Sequence, residues 1–309
     1  MRNLIKKNEK YCGIIPAFYA CYDEKGEVSG KRAELFTEHL IKKGVKGVYV
    51  GGSSGECIYQ TVGDRKIILE HVMKAAEGKI TVIAHVACNN TAESMELARH
   101  AQSLGVDAIA AIPPIYFRLP EYAIAEYWND ISSAAPNTDF VIYNIPQLAG
   151  TALTMPLLRE MLKNPNIIGV KNSSMPTQDI QMFKSEGGGD FVVFNGPDEQ
   201  LVAGLAIGAD GGIGGTYGVM PELYIKITEH MKDGKINEAR QIQNAANEVT
   251  YTMCSCKGNM YAVVKEILRL REGIDIGTVR KPLPDLFPED MEKIEKCVSL
   301  INSAIRKFI

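Results

Sequence analysis

Lys43-Gly44-Val45-Lys46-Gly47-Val48, Leu104-Gly105-Val106-Asp107-Ala108-Ile109 and Ile207-Gly208-Ala209-Asp210-Gly211-Gly212 are three versions of one phrase. Each reads as a helix end, a capping glycine, a short turn and the start of a strand. The interval from Gly44 to Gly105 suits two strand–helix units, and that from Gly105 to Gly208 suits four somewhat shorter ones. Around these anchors lie eight strand candidates: residues 13–17, 47–51, 80–86, 108–112, 140–144, 167–171, 191–195 and 211–214. They are near-continuously apolar rather than alternating, as strands buried on both faces should be. Helical patterns lie between them, such as Thr91 to Ser103, opened by Asn90 and Thr91 as cap candidates and followed by Gly105. Eight such units predict a closed (β/α)8 barrel, the TIM barrel, with an open doubly wound sheet as the alternative. After residue 219 the pattern is helical throughout, over 222–232, 236–253, 260–271 and 289–307. The first of these segments can close the barrel. We therefore expect a catalytic barrel over 11–233 and a C-terminal helical extension over 234–309, useful for subunit contacts.

The chain has 309 residues, 46% hydrophobic and 23% charged, ample for a buried core. A net charge of -3 offers no basic field for nucleic acid. No apolar run of ~18 residues could span a membrane, and the N-terminal decapeptide Met1 to Lys10 has no apolar segment typical of a secretion signal. The seven cysteines form no Cys-x-x-Cys pair, which predicts reduced, mostly buried thiols and a cytoplasmic protein. Cys254 and Cys256 lack the second pair that a metal site would need. The histidines (39, 71, 85, 100 and 230) show no metal-ligand spacing with carboxylates, so neither a metal nor another cofactor is expected. His85 reads as a satisfied core residue.

Active sites of such barrels lie where the strands end. Lys171 closes the apolar run Asn166-Ile167-Ile168-Gly169-Val170 and opens the polar Asn172-Ser173-Ser174. Burial there disfavours the ammonium form, and a neutral amine can attack a ketone to form a Schiff base. Chemistry of this kind needs a pKa of roughly 7–8, with apolar Ile168, Val170 and a dry barrel mouth as the available causes. Gly51-Gly52-Ser53-Ser54-Gly55-Glu56 is either an anion-binding nest or a simple Gly/Ser turn. Tyr143, in Tyr143-Asn144-Ile145-Pro146, is a core tyrosine or a proton shuttle whose pKa a neighbouring cation lowers. Asn195-Gly196-Pro197-Asp198-Glu199 suits a ligand loop or a helix start with favourable acids. Tyr116 follows Pro113-Pro114 and reads as an aromatic plug on a rigid loop, and the loop from Gly211 to Gly218 admits close ligand approach or could bind phosphate.

In this order and spacing, the Gly51–Glu56, Tyr143–Pro146, Gly169–Lys171 and Gly211–Gly214 motifs resemble the N-acetylneuraminate lyase and dihydrodipicolinate synthase superfamily, over residues 11–300. The resemblance implies a homotetramer that works by Schiff-base chemistry. Lys171 would bind pyruvate covalently and Tyr143 would shuttle the proton. Ser53 and Ser54 would hold the pyruvate carboxylate, and Tyr116 would reach a neighbouring subunit's site. The synthase branch carries an arginine two residues after the proline of its Tyr-Asn-x-Pro motif, where this chain has Leu148. The lyase branch is similar in Ser53, Leu148, Gly196, Asp198 and Glu199, and Ser173 matches a threonine. In that branch Asp198 and Glu199 would take the hydroxyls of a sugar tail, and Gly214 and Gly215 would line the substrate. Two positions depart from the lyase pattern. Gly215 stands where a serine is common, and Pro197 where an aromatic residue is. The expected reaction is reversible cleavage of N-acetylneuraminate to N-acetylmannosamine and pyruvate. The alternatives are 4-hydroxy-tetrahydrodipicolinate synthesis, another pyruvate-dependent 2-keto acid aldolase, or a non-catalytic sugar-acid binding protein.

Overall fold

Each of the three sequence phrases folds into the same turn. Gly44, Gly105 and Gly208 have φ of 79°, 75° and 111°, a region that costs glycine little and other residues much. Each follows a helix and donates its amide to a carbonyl of the last turn (Ile41, Gln102 and Leu205), and the next residue donates five positions back, to Leu40, Ala101 and Gly204. The chain is thereby turned from helix into strand. In the second and third copies an aspartate then locks the strand: Asp107 Oδ2 accepts from the Val82 amide and Asp210 Oδ2 from the Val193 amide, both at 2.9 Å.

The computed structural model describes residues 9–309. Residues 1–8, which make up most of the decapeptide that argued against a secretion signal, lie outside the described residues. The strands are β1 (Gly13–Pro16), β2 (Gly47–Val50), β3 (Thr81–His85), β4 (Ala108–Ala111), β5 (Asp139–Asn144), β6 (Ile167–Asn172), β7 (Val192–Asn195) and β8 (Gly211–Gly214). All pairings are parallel, and β1 lies beside β8. Hydrogen bonds from Lys46 N to Ile14 O and from Phe18 N to Tyr49 O, both 2.9 Å, join β1 to β2 and close the barrel. The open doubly wound alternative is therefore excluded.

The helices are α1 (Gly30–Lys42), α2 (Val62–Ala76), α3 (Thr91–Ser103), α4 (Glu121–Ala134), α5 (Pro146–Ala149), α6 (Met155–Met161), α7 (Gln178–Gly187), α8 (Leu201–Ala206) and α9 (Pro221–Lys232), followed by α10 (Ile236–Cys254), α11 (Met260–Glu272) and α12 (Asp290–Phe308). Two cores result. Inward side chains such as Ile15, Ile83, Val141, Phe194 and Ile213 fill the barrel. A larger layer between strands and helices runs without a break into α10–α12 through Ile242, Val249, Ile267 and Ile301. A buried ion pair, Lys265 Nζ to Glu56 Oε1 at 2.8 Å, joins α11 to the loop after β2. The seven cysteines form no disulfide; Cys21, Cys57 and Cys297 are buried and Cys254 is exposed, so fewer thiols are buried than composition suggested. Among the described residues no helix is long and apolar enough to cross a membrane.

Candidate active site

Register decides the centre of the site. Tyr143 on β5 pairs with Lys171 on β6, which pairs in turn with Phe194 on β7. Alternation along a strand then turns Lys171 and Tyr143 into the barrel. Lys171 is 4% exposed, and its Nζ sits 3.8 Å from the ring centre of Tyr143 and 4.4 Å from that of Tyr49. Burial pushes its pKa down to about 7, with Asp198 and Cys57 opposing the fall. The value agrees with the need stated above, but the cause differs in part. Val170 faces the outer core layer, so the amine is desolvated by the rings of Tyr49 and Tyr143 instead.

The expectation for the pKa of Tyr143 is reversed. Burial pushes it up to about 12, against hydrogen bonds to Ser53 and Ser173 that lower it. The reason is that the phenol is itself buried, and the desolvation outweighs what the neighbouring hydroxyls do. His85 packs edge-on against Tyr143, with ring centres 6.0 Å apart. Its Nδ1 lies 2.8 Å from Gly51 O, and burial holds its pKa well below the usual range. It is the neutral core histidine that the sequence suggested.

Above the lysine, the loop after β2 is a tight double turn, Gly55 N to Gly52 O and Glu56 N to Ser53 O, both 3.0 Å. It sets Ser53 beside Tyr143, while buried Ser54 hydrogen-bonds Tyr261 of α11. On the far side, Asp198 is buried, and its Oδ2 accepts from Thr216 N at 2.6 Å and Thr216 Oγ1 at 2.7 Å. Burial raises its pKa to about 6. Asp198 is thus not the open carboxylate the sequence suggested, because half of it is already engaged. Glu199 is half-exposed beside it.

The glycines of the site are explained by close approach. A Cβ on Gly196 would come within 2.0 Å of Ser173 Oγ, and one on Gly214 within 2.0 Å of Asp198 Oδ1. Gly215 is different. Its φ is -75°, and a Cβ there would meet only Ser54 Oγ, at 3.5 Å. Ser53, Ser54, Tyr143, Lys171, Ser173, Gly196, Asp198, Gly214 and Gly215 therefore cluster at one barrel mouth. Tyr116 does not join them within this chain: it is 90% exposed, at a φ of 83°, and stacks edge-on with Phe117. Leu148, on the short α5, is also exposed. Tyr49 and Tyr261 are additions that the sequence reading missed. An aromatic residue at the centre of Gly47-Val48-Tyr49-Val50 was a signal for the first. Nothing local marked Tyr261, which comes from a helix outside the barrel. No group of three or more His, Cys, Asp or Glu among the described residues is placed to hold a metal ion.

A buried, near-neutral lysine ringed by hydroxyls at a barrel mouth is equipped for imine chemistry on a small keto acid. Known proteins agree with the geometry. Over the whole chain it is 66% identical to the N-acetylneuraminate lyase of Mediterraneibacter gnavus, covering 97% of that relative. The N-acetylneuraminate lyase of Escherichia coli is 33% identical over 270 residues, 87% of this chain and 90% of its own. A solved structure titled as a catalytic lysine mutant of the Ruminococcus gnavus sialic acid aldolase superposes with a TM-score of 0.97, at 66% identity, covering 100% of both chains. Residues 10–301 match the dihydrodipicolinate synthetase family, and with the barrel and its lysine in place, the chain belongs to that family.

Proposed function

We infer that this chain is a lyase that cleaves N-acetylneuraminate reversibly to N-acetylmannosamine and pyruvate through a Schiff base on Lys171. The observation that carries the reading is the amine itself. Its pKa is pushed down to about 7, in register with Tyr143, in a chain 66% identical over its full length to a lyase of this substrate. The amine attacks the keto carbon of the open-chain sugar acid. The resulting protonated imine draws electrons, and the bond to the hydroxyl-bearing carbon breaks. Tyr143, protonated at rest, suits a relay: it accepts the sugar hydroxyl proton while passing its own toward the substrate carboxylate. Ser53 and Ser54 hold that carboxylate. Ser173 and Gly196 support Tyr143 and the substrate. Asp198 through its free oxygen, Glu199, Gly214 and Gly215 receive the sugar tail.

Two further parts of the reading rest on the family and on exposure. The protein works as a homotetramer in the cytoplasm, and Tyr116, exposed in the single chain, enters a neighbouring subunit's site to support its Tyr143. Residues 11–233 form the catalytic barrel and 234–309 the extension. The synthase reading is disfavoured by Leu148, which gives a second substrate carboxylate no bidentate partner. The intact Lys171 and Tyr143 disfavour a purely binding protein.

Borohydride with pyruvate tests the mechanism: a reduced adduct is expected on Lys171 by peptide mass spectrometry, and an adduct elsewhere, or none, removes it. Tyr143→Phe should lower turnover about 10²–10⁴-fold. Mixing Lys171→Ala with Tyr116→Phe subunits should restore activity if the site is shared. For the substrate, kcat/KM is compared for N-acetylneuraminate cleavage and aspartate-semialdehyde condensation. Faster condensation would reverse the assignment.

A further inference from the structure

We propose that Tyr49 is a further catalytic residue: with Tyr143 it forms an aromatic cage whose two π faces stabilise the cationic imine on Lys171. The proposal rests on the Schiff-base reading and adds to it a residue that touches the reacting nitrogen. When Lys171 Nζ condenses with a keto acid, one C–N bond forms and the carbonyl C–O bond breaks. One proton is taken up, water leaves, and the nitrogen keeps a positive charge. That charge arises in a place closed to solvent, where an uncompensated cation is costly. Among the described residues the carboxylate whose field reaches Nζ is Asp198, and its Oδ2 is already bound by the Thr216 amide and hydroxyl.

What faces the nitrogen is carbon. The Tyr143 ring centre lies at 3.8 Å and that of Tyr49 at 4.4 Å, and the two rings stand at 80° to each other, 5.7 Å apart. The negative face of an aromatic ring attracts a cation within ~6 Å, more strongly where water is excluded. The geometry of Tyr49 is fixed. The residue is 0% exposed and bridges to Ala17, and Gly52 packs so closely on its ring that a Cβ there would lie 2.7 Å from Cε1. Its hydroxyl meets no hydrogen-bond partner among the described residues. The ring face, and not the oxygen, is therefore the part in use. This separates Tyr49 from Tyr143, whose hydroxyl has the Ser53 and Ser173 side chains close enough to lower its pKa. The groups that bear on Nζ are Tyr49 on β2, His85 on β3, Tyr143 on β5, Cys57 and Asp198. His85, Cys57 and both tyrosines are neutral near pH 7, since burial lowers the first and raises the others.

The test measures borohydride trapping of pyruvate on Lys171 as a function of pyruvate concentration and pH. Tyr49→Phe keeps the face and should trap within about 3-fold of wild type. Tyr49→Leu keeps an apolar wall without the quadrupole. Its apparent pyruvate affinity should fall roughly tenfold, and the acid limb of trapping should move down by about one pH unit, because ammonium and imine lose the same support. Fluorinated phenylalanines placed at position 49 keep the size of the ring while draining its face, and stand in should the leucine variant not fold. Trapping should then weaken with each fluorine. A flat fluorine series, equal losses in Tyr49→Phe and Tyr49→Leu, or a loss in Tyr49→Leu with an unmoved acid limb would overturn the cage. Failure of wild type to trap pyruvate on Lys171 at all would overturn the Schiff base, and the cage with it. Trapping that is normal but indifferent to position 49 overturns the cage alone.

Discussion

Replacing Lys171 by methionine should abolish activity and make the protein more stable. The side chain is 4% exposed, and burial moves its pKa from 10.5 to about 7. That difference, roughly 3.5 pH units at 1.36 kcal/mol each, means that folding at pH 7 loses up to about 5 kcal/mol by holding an amine here. Methionine is unbranched, nearly fills the same volume and suits contact with the rings of Tyr49 and Tyr143. Allowing for imperfect packing, the gain at pH 7 should be about 2–5 kcal/mol. The sign with pH follows from proton counting. Between pH 7 and 10.5 an unfolded lysine holds its proton and the folded one does not. Wild-type stability therefore rises relative to the variant by up to about 1.4 kcal/mol per pH unit. Below pH 7 the difference is constant, and above 10.5 it vanishes. Urea unfolding of both proteins at pH 6, 7, 8.5 and 10 measures it, with the other titrating groups cancelling between the two chains. A variant no more stable than wild type at pH 7, or a gain that does not shrink toward pH 10, would refute the reasoning.

Gly196→Ala should push Ser173 away from Tyr143, since the new Cβ falls 2.0 Å from Ser173 Oγ and 2.7 Å from Asn172 O. Urea titration should show a loss of about 1–3 kcal/mol, and steady-state assays a lower kcat. Gly215→Ser should instead be accommodated, because φ is -75° and the nearest atom is 3.5 Å away. One added hydrogen bond of about 0.5–1.5 kcal/mol predicts a KM for N-acetylneuraminate roughly 2–10-fold lower at unchanged kcat. Lys265→Met leaves Glu56 buried without its partner, and unfolding should become about 3–5 kcal/mol easier. Adding Glu56→Gln should recover much of that loss, and no recovery in the double variant would count against the ion pair as its cause.

Short-range pattern was enough for the barrel and for the key lysine. Strand positions follow from apolar runs of a few residues, and the turns from glycines whose positive φ is a local property of the chain. Gly44, Gly105 and Gly208 announced their turns in this way. Lys171 declared itself by interrupting such a run, and Gly51 to Glu56 by composition. Other features depended on which segments meet across the barrel, and no local pattern contains that. Strand register set Tyr143 beside Lys171, and barrel closure brought Tyr49 over the same nitrogen. Helix α11, far along the chain, delivered Tyr261 to Ser54 and Lys265 to Glu56. Thr216 took half of Asp198, which alone had seemed free to bind a sugar. The direction of the Tyr143 pKa also belonged to the tertiary structure. A sequence supplies the identity of a neighbouring cation, but whether that neighbour stays charged depends on how much water the folded barrel leaves around it. The same burial that lowers the pKa of Lys171 raises that of Tyr143.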